Sequence, residues 1–363
     1  MTLASPPPRP RPVIAAMAAY RPPLEGRRGA ALRLDFNERS GPAPVAAMAA
    51  LRALAGESVA AYPEYEAYER RLARWLGVAE SCVLPTNATD EGIQVVALTF
   101  VDPGQKVLLA EPTFAMFRVY AQISGAQVVS VPYVEPDLAF PADLFLHHLA
   151  TDMDIRVAVL VDPNNPTATD LDSELVARVC ATRPDVAVLV DEAYGAFTRR
   201  TSIPLIARHA NLIVSQTFSK AHGLAGLRIG HLVSCADNIA ALRKVRSPYS
   251  VNIAAMAAAA ALMDQEVEDR DPYVRQCLEG RDLLAAGLRV RGIRVRRAGA
   301  NFVLADFGAA AAAVGSALRA HGVLVRDRSS DPGLAGHVRI TAAPPDDIAG
   351  FFEVLDRIAP TWR

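Results

Sequence analysis

Cysteine is scarce in this chain, and its spacing says more than its number. Cys82, Cys180, Cys235 and Cys277 stand far apart with no CxxC pair among them. That argues against a zinc knuckle or a small disulfide framework and makes a reducing compartment, the cytoplasm, the expectation. A surplus of charge is missing as well. Lys and Arg number 38 against 39 Asp and Glu, a formal net charge of -1, so no overall field draws nucleic acid or an anionic membrane and any bound anion must be held locally. Long apolar runs are also lacking: the longest, IAAMAAAAALM, is too short for a bilayer and reads as a close-packed helix, while the start, MTLASPPPRPRPVIAAMAAY, is proline-rich where a signal peptide needs an apolar stretch. What remains is a 363-residue chain with 51% hydrophobic residues, enough to bury a large core and to form more than one domain.

Periodicity supplies the organisation. Short runs rich in Val, Ile and Leu (KVLLAEP, AQVVSVPY, RVAVLVDPNNP, VAVLVDEAY, NLIVSQTFSK, RIGHLVS) alternate with helical stretches such as DEGIQVVALTF, TFAMFRVYAQISG and SELVARVC. Strands alternating with helices predict crossover units and a mostly parallel sheet covered by helices. Thr89 before Asp90 and Ser173 before Glu174 read as helix starts with a capping hydroxyl and a first-turn acid. After about residue 240 the pattern changes to long helices followed by NFVLADF, VLVRDR and HVRITAA, which alternate like strands of a half-exposed sheet. The expected class is therefore α/β, a large domain with a mostly parallel sheet plus a smaller α+β domain. The expected bounds are 1-45 for an N-terminal arm and segment packing with the small domain, 46-243 for the large domain and 244-363 for the small one.

Polar residues collect where strands end, the place where doubly wound sheets bind ligands. AVLVDEAY ends a buried run in Asp191, an acid that needs a cation or donor beside it. VLVDPNNPT ends in Asp162, Asn164 and Asn165 around two prolines. LIVSQTFSK ends in Thr217, Ser219 and Lys220, with Arg228 eight positions on; hydroxyls and an arginine fork make a good phosphate cradle. LPTNATDEGIQ sets Ala88, Thr89 and Asp90 at a helix start, where free N–H groups and the dipole favour an anion. GLAGLRIG lacks the spacing of a dinucleotide fingerprint. His147 and His148 have no other ligand types at metal spacing and read as solvated surface, so no metal site is expected. A phosphate cradle, a lysine and an acid at neighbouring strand ends are what a pyridoxal phosphate enzyme requires.

TFSKAHGLAGLRIG resembles the lysine signature of the fold-type I, class I/II aminotransferases, and AYPEY, EPTFAMF, PNNPT, DEAY, SPYSVN and VLVRD...HVRIT follow in the order of the histidinol-phosphate aminotransferase branch. The resemblance spans roughly residues 33 to 355. It implies an aspartate aminotransferase-like fold, pyridoxal 5'-phosphate as cofactor, small amino and oxo compounds as substrates, and a homodimer with shared active sites. By the same resemblance, Lys220 would carry the cofactor and shuttle the proton. Asp191 would pair with the pyridine nitrogen, Tyr194 and Asn165 would face the ring oxygen, and Phe114 would stack on the ring. Arg228, Ser219, Thr217 and the Ala88–Asp90 turn would hold the phosphate, and Tyr62 would reach the phosphate of the neighbouring subunit's cofactor. Arg339, Arg326 and Asn37 would lie on the substrate side.

Several positions depart from the family's pattern. Ala168 stands for the glycine after NPT, Ala88-Thr89-Asp90 for G-S-D, and Asn37-Glu38-Arg39-Ser40 for N-E-N-P. Gln216 replaces a frequent arginine, and His222 and His231 replace aromatics, which makes them packing substitutes. None removes a catalytic group. They leave room for the same scaffold to serve a specialised pathway, as an aromatic aminotransferase, an amino-acid decarboxylase or a cyclase.

Overall fold

A computed structural model describes residues 8–19, 29, 31–264 and 267–359. Among them, strands numbered in chain order form two sheets. β1 (Leu32–Leu34) belongs to the smaller. β2 (Val83–Thr86), β3 (Lys106–Glu111), β4 (Gln127–Pro132), β5 (Ile155–Val161), β6 (Ala187–Asp191), β7 (Leu212–Thr217) and β8 (Gly230–Ser234) build the larger, and β9 (Arg294–Gly299), β10 (Phe302–Asp306), β11 (Val323–Asp327) and β12 (His337–Thr341) complete the smaller. The larger sheet runs β2-β8-β7-β6-β5-β3-β4. β8 alone is antiparallel, to both β2 and β7, and the remaining pairs are parallel.

The alternation of side chains explains why these runs fold as central strands. Val157, Val159 and Val161 of β5 join Ala187, Leu189, Ile213 and Leu232 in one apolar cluster. Ala158 and Leu160, with Val188, Val190, Leu212 and Val214, enter the cluster on the other face. Both faces are dry because helices cover both, so these strands carry no polar alternation. At roughly 25 cal/mol per Å² this two-sided burial is the main driving force for the layer.

The smaller sheet runs β1-β11-β12-β10-β9. Its core joins Leu284 and Leu288 of one long helix and Phe351 and Leu355 of the last to Val303, Val338 and Ile340. β1 pairs in parallel with β11, Leu32 opposite Val323, so the segment before residue 45, which shows no strand signal of its own, is stitched to strands almost three hundred residues later. That pairing delivers Phe36 and Asn37 to the larger sheet's edge.

Two helix starts differ from the reading of their hydroxyls. The helix Ala88–Phe100 is preceded by Asn87, and the helix Ser173–Thr182 is capped by Asp172, which accepts from the Leu175 N–H at 2.6 Å. Thr89 and Ser173 lie inside the first turn. In the second case the carboxylate one residue earlier reaches the free N–H groups, as an N-cap acid does. The alanine run forms the helix Ile253–Met263, with Ala255, Ala258 and Ala259 fully buried.

Candidate active site

Six strands of the larger sheet run parallel and end at one edge, and the loops leaving five of them, β2, β3, β5, β6 and β7, enclose a cavity of about 320 Å³. Ala88, Thr89, Asp90, Phe114, Asn165, Asp191, Tyr194, Thr217, Ser219, Lys220, Arg228, Arg326 and Arg339 line it. Two of the expected residues do not. Tyr62 is 77% exposed and stacks on Tyr249 with ring centroids 4.4 Å apart. Asn37 is fully buried behind the wall.

The placement of Asn37 changes its expected part. Its Nδ2 donates to the Tyr194 hydroxyl at 2.9 Å, its Oδ1 accepts from Thr341 Oγ1 at 3.0 Å, and Asn301 Nδ2 donates to its carbonyl at 3.2 Å. It hydrogen-bonds Tyr194 and does not line the cavity. Phe36 takes the cavity position instead, and its carbonyl accepts from Lys220 Nζ at 2.9 Å.

Asp191 ends β6 at 4% exposure, accepting from the Ala193 N–H at 3.1 Å. Burial pushes its carboxyl up to about 7; the Ala193 N–H opposes the rise, Asp90 and Glu192 add to it, and Lys220 lowers it. Such a group lacks a cation, and a protonated ring nitrogen would supply one.

The phosphate end is built around close backbone approach. A Cβ on Gly230 would lie 2.8 Å from the Gln216 carbonyl oxygen and 3.1 Å from the Thr89 nitrogen. Only glycine lets β8 pass so close to the start of the helix Ala88–Phe100, whose first N–H groups face the cavity end. Thr217 Oγ1 donates to Ser219 Oγ at 3.0 Å, and Arg228 Nη2 donates to Asp90 Oδ2 at 2.6 Å. Ala88 itself sits at φ +60°, in the left-handed region that glycine occupies more readily than an L-residue.

Arg339 is 5% exposed and bonds two neutral acceptors, Asn165 Oδ1 and the Asp35 carbonyl. Burial pushes its guanidinium down to about 10, countered by Tyr194 and reinforced by Arg328 and Arg326. Its described Nη hydrogen bonds go to neutral oxygens, and the nearby Asp35 raises its pKa.

Arg328, Ser330 and Asp331 also line the cavity and were not singled out by motif. A signal existed: Arg328 stands two positions beyond Arg326, and a strand's period of two puts both on one face.

A second and larger cavity, about 570 Å³, meets the first at Ala193 and Thr217. Glu192, Gln216, His222, His231, Trp75 and Tyr273 are among its walls. No lysine is among its described lining residues. His222 and His231 lie in the aromatic cluster, with ring centroids 4.9 and 5.9 Å from Phe218.

The family profile described as Aminotransferase class I and II matches residues 32–355. The chain belongs to that family. Histidinol-phosphate aminotransferase of Symbiobacterium thermophilum is 36% identical over 330 residues, covering 89% of this chain and 89% of the relative. The enzyme of the same name from Roseiflexus castenholzii is 34% identical, covering 96% of this aminotransferase and 98% of its own length. Among solved structures, histidinol-phosphate aminotransferase from Sinorhizobium meliloti in complex with pyridoxal-5'-phosphate superposes with a TM-score of 0.86 at 24% identity, over 96% of this chain and 98% of that one. The last likeness speaks for the fold.

Proposed function

We propose that this aminotransferase uses pyridoxal 5'-phosphate to move an amino group between glutamate and 2-oxoglutarate on one side and histidinol phosphate and its oxo counterpart on the other. One observation carries the reading: Lys220, the buried Asp191 whose carboxyl is pushed up, and Arg339, whose Nη atoms bond neutral oxygens, converge on a single cavity. Each suits one part of a cofactor-bound substrate. The curated relatives of that name support the choice of substrate.

When bound, the cofactor supplies an electron sink for charge developing on the substrate carbon. Asp191 keeps the ring nitrogen protonated, since pairing with that cation restores a carboxylate that burial alone would neutralise. Arg228, Thr217, Ser219 and the N–H groups of the Ala88–Asp90 turn hold the phosphate. Phe114 would offer the ring an aromatic face, and Asn165 and Tyr194, the latter held by Asn37, would hydrogen-bond the ring oxygen. Lys220 would hold the cofactor through Nζ and would act as the base that moves the substrate's proton. Arg339 and Arg326 take the anionic end of either substrate.

Three coarser expectations belong to the same reading. The chain divides at about residues 45 and 243 into arm, cofactor domain and small domain. Two copies pair so that the exposed Tyr62 of each reaches the other's phosphate. The enzyme works in the cytoplasm on small molecules.

Cofactor-loaded protein mixed with histidinol phosphate and 2-oxoglutarate is expected to form glutamate, with a shift in the cofactor's visible absorbance on adding either amino donor alone. Absence of amino transfer between these two compounds would overturn the substrate.

A further inference from the structure

The hydroxyl of Tyr194 is held from behind, and the hydrogen bonds that hold it have a fixed sense. Tyr194 follows β6, lines the smaller cavity at 4% exposure, and is met edge-on by Phe302 of β10 with ring centroids 5.4 Å apart. Asn37 stands behind it. The Asn37 backbone N–H donates to Thr341 Oγ1 at 3.0 Å, and the Thr341 hydroxyl donates its own hydrogen to Asn37 Oδ1 at 3.0 Å. With Oδ1 taken as the acceptor, Nδ2 is the atom that meets Tyr194, at 2.9 Å, and it can only donate. The Tyr194 oxygen therefore accepts from Asn37 and keeps its single hydrogen for another partner. Among the described residues no acceptor takes that hydrogen. Both holders come from the smaller sheet, since Thr341 ends β12 and Asn37 follows β1.

We propose that Asn37 and Thr341 are positioning residues: they turn the Tyr194 hydroxyl hydrogen into the cavity, so that Tyr194 meets the cofactor's ring oxygen as a donor. The inference rests on the aminotransferase reading for what accepts that hydrogen. It makes the smaller sheet a partner in the acid–base state of a cofactor held on the larger one. A donor at the ring oxygen competes with the proton that this oxygen would share with Lys220 Nζ, so a well-aimed donor lowers the pH at which that proton leaves. A hydroxyl free to turn is poorly aligned and competes less.

The test follows the visible absorbance of cofactor-loaded enzyme across pH, with no substrate present. Tyr194→Phe sets the scale: losing the donor should raise the midpoint by about one to two pH units, the size of a hydrogen bond to a charged partner. Asn37→Gly removes the amide at φ +53°, a conformation glycine adopts without strain, and should raise the midpoint by about half as much. Thr341→Val, which frees the Asn37 amide to turn, should move it the same way, and Thr341→Ser should restore the wild-type value. The deciding variant joins Asn37→Gly to Tyr194→Phe, and its midpoint should equal that of Tyr194→Phe alone, because the amide acts only through the hydroxyl. The charged groups around the cavity, Asp90, Asp191, Arg228, Arg326, Arg328, Asp331 and Arg339, are common to every variant. Should Asn37→Gly fail to load cofactor, the same cycle is run with Thr341→Val, which nearly keeps the side chain's shape. The proposal is overturned if neither single variant raises the midpoint, or if the rise is as large in the Tyr194→Phe background as in wild type, as a general loosening of the site would give. A wild type that transfers nothing from histidinol phosphate would sink the substrate and leave these midpoints standing.

Discussion

Asp191 and Glu192 are adjacent acids at the end of one strand, both about 4% exposed, and they meet opposite fates. Alternation along β6 continues the parity of Ala187 and Leu189 to Asp191 and that of Val188 and Val190 to Glu192, so the two acids leave the sheet on different faces. Asp191 enters the smaller cavity with one N–H donor. Glu192 enters the larger with three: the Ser202 N–H at 2.5 Å, Thr201 Oγ1 at 2.7 Å and Gln216 Nε2 at 2.8 Å. One acid is left wanting a cation, and the other closes a network. Chemistry goes to the unfinished group, because a site whose charges are already satisfied has nothing to offer a ligand.

Exchanging the two acids for amides breaks this contrast most sharply. Asp191→Asn should lower turnover by roughly 10²–10⁴-fold, as the loss of a group that controls proton transfer does, measured as amino transfer with saturating cofactor. Its second readout is stability without cofactor. The folded carboxyl titrates at about 7, above its ordinary 3.8, so its contribution is fully present below pH 4 and lost as pH rises through 7, a swing of about 4 kcal/mol. Wild-type protein freed of cofactor should therefore soften over that window, and Asp191→Asn should soften less, since Asp162, pushed up to about 6 by burial, still titrates there. Glu192→Gln should do the reverse. Turnover should stay within about threefold, while stability falls by about 2 kcal/mol because the new amide turns a donor toward donors. Equal loss of turnover from both variants would show that the two faces are not separate.

His231 sharpens the comparison at the far end of the Glu192 network. Gln216 gives its Nε2 to Glu192, so its Oε1 must accept from His231 Nε2, 3.1 Å away. That fixes the neutral tautomer with Nδ1 bare. Burial, helped by His222, pushes the imidazole down to about 3. The sign follows: its contribution is complete above the ordinary 6.5 and is lost as pH falls toward 3. His231→Phe should be about 1 kcal/mol less stable than wild type at pH 8, where the Gln216 oxygen loses a donor, and about 2 kcal/mol more stable at pH 4.5. Thermal melts at the two pH values should cross. Parallel melts would mean that the imidazole is not held neutral.

The legible parts of this molecule are those where local chemistry and topology point to the same place. Dry strands announce themselves by unbroken Val, Ile and Leu, and their polar endings marked the cavity because parallel strands must all end at one edge. Three things escaped. β1 (Leu32–Leu34) is three residues long and is a strand only through its pairing with β11. Asn37 shows no sign in sequence that φ +53° and full burial turn it toward Tyr194. The Arg328–Asp331 ion pair depends on a turn folding back, which no periodicity encodes.

The smallest effect concerns two alanines held in the left-handed region. Ala88 at φ +60° and Ala168 at φ +57° occupy the left-handed region, which costs an L-residue about 1–2 kcal/mol. Replacement by glycine removes that cost but restores about 0.4–1 kcal/mol of unfolded-chain freedom, so each should gain about 0.5 kcal/mol, read as a rise of a degree or two in the melting temperature. The two sites then part company. Ala168 lies in the loop after β5, within the cluster around Tyr194 and Phe302, and relaxing it should leave cofactor affinity alone. Ala88 opens the helix proposed to hold the cofactor's phosphate, so on that reading Ala88→Gly should change the rate of cofactor release as well as the melting point. If both glycines act alike on release, strain at position 88 is a relic of packing and has no bearing on the phosphate cradle.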